Sequence, residues 1–135
     1  MLSQQRTSKP KHRSLRHIRV LALSRAATQG VVVAGGLQRR CALGRSGMRA
    51  LKREGDGATP LGRWPVRFLF LRGGHGARPR TGLKARSLRP DDGWCDAPGD
   101  ANYNRPVHHP YRASAERMWR DDDLYDLVVV LGHND

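Results

Sequence analysis

The chain has 135 residues, with 25 Lys or Arg against 12 Asp or Glu, a formal charge of +13. That length admits one modest core, and two cysteines, Cys41 and Cys95, with no CxxC spacing exclude both a disulfide framework and a cysteine zinc site. No apolar run reaches the length of a membrane-spanning helix, and the charged start MLSQQRTSKPKHRSLRH lacks a signal peptide's apolar stretch, because Arg19 and Arg25 interrupt IRVLALSRAA.

The charge is unevenly spread. Residues 1–53 hold thirteen Lys or Arg and no acid, residues 54–90 eight basic and two acidic groups, and residues 91–135 four basic and ten acidic. Basic composition suggests an anionic partner. However, 21 of the 25 basic residues are Arg, and the basic half has no Phe, Trp or Tyr before Trp64 on which a base could stack. Nucleic acid is therefore not the expected partner.

Residues 1–16 read as a disordered basic tail. Three short strands follow, His17–Ser24, Gln29–Ala34 and Leu37–Leu43, with Gly35-Gly36 as a two-residue hairpin turn between the last two. Such spacing predicts an antiparallel meander. Asp56-Gly57 is a tight-turn dipeptide, and Thr59-Pro60-Leu61-Gly62 fits a type I turn. Arg63–Leu71 reads as a strand, Pro65 suggesting a start at a sheet edge. Residues 72–82 form a loop, 83–88 a weak strand, and 89–111 a long irregular segment rich in turn residues, of the kind that more often serves function than not. Ala113–Arg120 is predicted as a short amphipathic helix. Leu124–Leu131 reads as a strand buried on both faces apart from Asp126.

The chemistry-bearing residues give little alone. Asp91, Asp92 and Asp96 flank Cys95 and would raise its thiol pKa, so a structural role is expected there. Cys41 lies mid-strand, where an inert core thiol is the default. His108 and His109 point to opposite faces of an extended chain and cannot chelate one ion together; no metal site is expected from them, His75 and Cys95. Asp121–Asp123 reads as a solvated loop.

The segment KREGDGATPLGRWPV (52–66) resembles the G-D-x-x-T-P-x-G-x-[FWY] signature of the L,D-transpeptidase catalytic-domain family, of the YkuD type. RPDDGWCDAPGDANYNRPV (89–107) is similar to an RPDDGWCDDP…YNRPV segment of one bacterial subgroup. SAERMWRDDDLYDLVVVLGHND (114–135) is similar to that subgroup's SHERLWR…LYDLVVVLGYN. Three separated motifs thus agree in order over residues 17–135.

The resemblance implies a mainly β, mixed β-sandwich, here incomplete and with one short helix, over 17–135. It implies cysteine acyl transfer on peptidoglycan stem peptides through a thioester, without a cofactor, at the cell envelope. Asp92, Trp94, Tyr103, Asn104 and Arg105 are the candidate substrate contacts. The family's histidine and its Gly-Cys-Val nucleophile belong to a later segment. Neither Cys41 (RRCAL) nor Cys95 (GWCDA) has that context, and His133 in LGHND does not have the histidine's, so no catalytic residue is carried over. The expectation is the N-terminal portion of such an enzyme, inactive alone. A basic nucleic-acid binder using residues 1–53, and a non-catalytic wall-binding module, are the alternatives.

Overall fold

The computed structural model describes residues 14–76 and 78–133; the tail read at 1–16 lies outside them up to residue 13. The described residues are mainly β, in two compact units. The first runs up to Arg49 and includes Gly57–Thr59; the second comprises Ala50–Asp56 and the chain from Pro60 onward.

The first unit is the predicted meander. Strands β1 (Ile18–Ala22), β2 (Gln29–Ala34) and β3 (Leu37–Ala42) pair antiparallel in that order. The β2–β3 turn is Gly35-Gly36 with φ of 54° and 89°, the double positive φ that a two-residue hairpin matching strand twist requires. Gly30 is needed for space, since a Cβ there would sit 2.4 Å from the Leu21 carbonyl oxygen. A short pair follows, β4 (Met48–Arg49) with β5 (Thr59–Pro60). Instead of opening the predicted type I turn, Thr59 donates its N–H to the Gly47 carbonyl at 2.8 Å. In the second unit, the tight turn sits earlier than the expected Asp56-Gly57. It spans Arg53–Asp56, with Gly55 at φ 73° and the Asp56 carboxylate accepting the Arg53 N–H at 2.7 Å. Among the first unit's described residues only Gly47 and Ala58 are buried.

The second unit holds the core. β6 (Val66–Leu71) is the centre of a mixed sheet, antiparallel to β11 (Leu127–Leu131) and parallel to β7 (Ala85–Ser87). β6 starts directly after Pro65 and is central rather than an edge; Pro65 offers no N–H but its carbonyl accepts the Gly132 N–H at 2.9 Å. A second sheet has β8 (Asp92–Cys95) between β9 (Pro106–His108) and β10 (Ala115–Arg117), all antiparallel. The two sheets share one core. Phe70, Leu88 and Met118 are buried there, and Phe68, Val128 and Val130 pack against them with Trp94, Trp119 and Tyr125. Burying a side chain such as Phe70 is worth about 1.5–3 kcal/mol, and this cluster is the main apolar contribution.

Two expectations are corrected, the helix and the extent of the last strand. The described residues contain no helix, and Ala113–Arg120 contains β10, because Ala115, Glu116 and Arg117 pair with Cys95, Trp94 and Gly93. A single turn of weak periodicity cannot compete with a ladder on a central strand. The 89–111 segment is mostly irregular, as expected, and also supplies the two short strands β8 and β9. β11 begins only at Leu127 and is buried on one face: Leu127, Val129 and Leu131 are exposed while Val128 and Val130 are partly covered.

Candidate functional site

β8 places Trp94 level with Glu116 of β10 and Pro106 of β9, so these three side chains share one sheet face. The chain then leaves β8 as a loop and returns. The Asn104 N–H donates to the Cys95 carbonyl at 2.9 Å and the Cys95 N–H to the Arg105 carbonyl at 3.0 Å. Asp100 knots the loop, accepting from the Asn102 N–H at 2.8 Å and the Tyr111 hydroxyl at 2.7 Å, with Arg112 at 3.3 Å. Those donors hold the Asp100 carboxyl below its ordinary range, Asn102 first and Tyr111 next. Asn104, at φ 58°, turns its amide back so that its Oδ1 accepts the Trp94 indole N–H at 3.0 Å.

Two further walls carry tyrosine–carboxylate pairs. Tyr103 donates its hydroxyl to Glu54 at 2.8 Å, and that bond raises the phenol's pKa. Tyr125 donates to Glu116 at 2.6 Å; burial first, then the Glu116 bond, pushes its pKa up to about 12. Lys52 reaches Asp56 at 3.3 Å, and His133 stands edge-on to Trp64 with centroids 4.5 Å apart.

Of these groups Lys52, Glu54, Trp94, Tyr103, Asn104, Glu116, Tyr125 and His133 line one open cleft of about 450 Å³, together with Arg53, Pro60, Met118 and Val128–Leu131, a size suited to a small ligand or a peptide segment. Four consecutive strand residues lie along it, although successive side chains point to opposite faces. The cleft therefore runs along the strand's margin. β11 is the outermost strand of its sheet. The Arg72 N–H donates to the Asp126 carbonyl, so with Leu71 opposite Leu127 the alternating ladder turns Val128 and Val130 toward β6. The backbone groups of Leu127, Val129 and Leu131 face the open edge.

Of the five predicted contacts, Trp94, Tyr103 and Asn104 meet in this cleft. Asp92 does not line it. It is buried, with Arg86 Nη1 at 2.9 Å and Nη2 at 3.1 Å from its oxygens and the Arg89 N–H at 2.7 Å. Arg105 does not line it either and contributes its main chain. Sequence reasoning missed Glu54, Glu116, Tyr125 and the β11 edge as site residues, although all lie inside the three motif segments. Cys95 is fully buried and, like Cys41, does not line the cleft.

The arrangement can hold an extended chain. The edge offers main-chain donors and acceptors, the apolar floor takes side chains, and Glu54, Glu116, Lys52 and Arg53 offer both charges at the walls. No helix of the described residues is long and apolar enough to cross a membrane. Comparison with family models, with curated proteins and with solved structures finds no match to this chain.

Proposed function

We propose that the second unit is the peptide-binding scaffold of an L,D-transpeptidase of peptidoglycan cross-linking, and that its cleft takes a stem peptide. One observation carries the reading. The three motif segments that resemble that family, 52–66, 89–107 and 114–135, all contribute to the same cleft, although nothing about their order in the chain requires them to meet.

In the proposed reaction a cysteine thiolate attacks a stem carbonyl. A C–S bond forms, the C–N bond to the next residue breaks, and that residue's amine leaves with a proton. An acceptor amine then attacks the thioester and releases the thiol. The chain's own part is to align the donor stem along β11, with Trp94 and Asn104 fixing one wall. The thiol and its histidine base are assigned to no residue of this sequence.

The test is a titration of the full chain with a soluble stem tetrapeptide, followed by NMR. Shifts at Tyr103 and Val129 that vanish in Trp94→Ala support the reading, while retention on purified cell wall without cross-linked product favours the non-catalytic wall-binding module instead. Absence of stem binding overturns it. So does salt-sensitive binding of DNA through residues 1–53, the signature of phosphate contacts.

A further inference from the structure

We propose that His75, Asp123 and Asp126 bind a divalent transition cation of the zinc class. The site is separate from the cleft groups used above and does not depend on the stem-peptide reading. His75 lies in the loop after β6, and the two aspartates lie in the turn that enters β11. The ladder fixes these segments side by side, the Arg72 N–H reaching the Asp126 carbonyl at 2.9 Å. Asp123 takes φ 58° and its carbonyl accepts the Asp126 N–H at 3.3 Å, which gathers both carboxylates beside the imidazole.

The distances discriminate between an ion pair and a metal site. His75 Nδ1 is 3.5 Å from Asp123 Oδ1 and 3.5 Å from Asp126 Oδ2, and the three ligand atoms lie within 4.8 Å of one another. A charge-assisted hydrogen bond closes to about 2.7–2.9 Å. Two tetrahedral ligands each about 2.0–2.1 Å from a zinc ion stand about 3.3 Å apart. The two His75–carboxylate spacings fit the second, and the third pair lies within 4.8 Å.

The local charge argues the same way. The side chain of Arg72 is 8% exposed and faces Asp126, Asp123 and Asp121 at 3.6, 3.7 and 3.9 Å, beyond hydrogen-bond reach. Three carboxylates thus surround one guanidinium. Asp126 Oδ1, on the Arg72 side of the carboxylate, has no hydrogen-bond partner, and Arg72 Nη1 donates instead to the Arg120 carbonyl. A dication between the aspartates and His75 supplies the missing positive charge, and Arg72 then steadies the carboxylates from behind. The imidazole nitrogen selects zinc-class ions over Mg²⁺ and Ca²⁺, which take oxygen ligands.

The other such group, Asp91, Asp92 and His108, lacks this character, because the Asp92 oxygens already accept from Arg86 and the Arg89 N–H. Bound metal would tie the chain around His75 to the entry of β11, leaving an open position for water on the exposed side.

The experiment is calorimetric titration of the full chain with Zn²⁺, and with Mg²⁺ and Ca²⁺ separately. One Zn²⁺ bound per chain, at least tenfold weaker in His75→Ala and in Asp126→Asn but unchanged in His108→Ala, supports the site. Circular dichroism confirms that each variant is folded. A chain that binds no Zn²⁺, or whose binding is indifferent to His75→Ala while the variant stays folded, overturns it. Equal binding of Mg²⁺ also overturns it. If Asp126→Asn fails to fold, Asp123→Asn serves in its place.

Discussion

Arg86 and Asp92 form a forked ion pair between β7 and β8, with the carboxylate 1% exposed and the guanidinium lying 4.6 Å over the Phe70 ring. The Asp92 main chain is engaged too, its carbonyl accepting the Met118 N–H at 3.0 Å. This pair couples the two sheets of the second unit at the margin of their shared core, and it explains why an acid can occupy the start of a central strand.

Removing the carboxylate leaves an unmatched guanidinium and a void. Asp92→Ala is expected to lower stability by about 1–3 kcal/mol, since the Arg89 N–H loses its acceptor while Arg86, 42% exposed, stays partly solvated. Replacing both residues together, Arg86→Met with Asp92→Leu, is expected to cost less than the single change. Urea unfolding midpoints at constant slope measure both.

Asn104 serves the cleft through its backbone as well as its amide. Asn104→Ala is expected to cost about 1–2 kcal/mol, the penalty of a Cβ-bearing residue at positive φ without the amide's local bonding. Asn104→Gly relieves the backbone and still leaves the Trp94 indole N–H without its acceptor. Stem-peptide affinity should therefore fall in both variants, while stability falls clearly only in the alanine variant. Thermal unfolding and peptide titration read the two effects separately.

Gly30 and Gly36 are both needed, for different reasons. Gly30→Ala drives a methyl group into the Leu21 carbonyl and is expected to cost about 1–3 kcal/mol as overpacking. Around Gly36 nothing lies within 4 Å of an added Cβ, so Gly36→Ala costs only its conformation, about 1–2 kcal/mol. Hydrogen exchange of the Val31–Val33 amides measures the loosening of the meander.

Two groups set opposite ends of the pH profile. The Asp100 carboxyl sits below its ordinary 3.8 when folded, so its stabilisation is present above that value and is lost as pH falls through the lowered folded value. The Tyr125 phenol is raised from 10.0 to about 12, so its contribution is present below 10.0 and is lost as pH rises from there toward 12. Asp100→Asn should flatten the acid limb and Tyr125→Phe the alkaline one, as read from urea midpoints across pH.

Much of the local order was legible in the residues. Alternation and the Gly35-Gly36 turn determined the meander to within a residue or two, and Trp64, Val66, Phe68 and Phe70 marked the strand that became β6. These are short-range rules, in which side-chain period and backbone permissiveness act over neighbouring positions. The motif segments also contained every residue that lines the cleft, which is why Trp94, Tyr103 and Asn104 were found.

Only the tertiary structure decided the rest. Asp92-Gly93-Trp94-Cys95 reads as turn chemistry and is a central strand, because pairing on both sides and Arg86 satisfy what its composition would otherwise forbid. Ala113–Arg120 has a faint helical period and becomes a strand, since β8 offers it a ladder. His75 and Asp126 are distant in sequence and adjacent in space because β6 and β11 pair antiparallel. Long-range pairing chooses which weak local preference survives, and the charges it brings together belong to no single stretch of the chain.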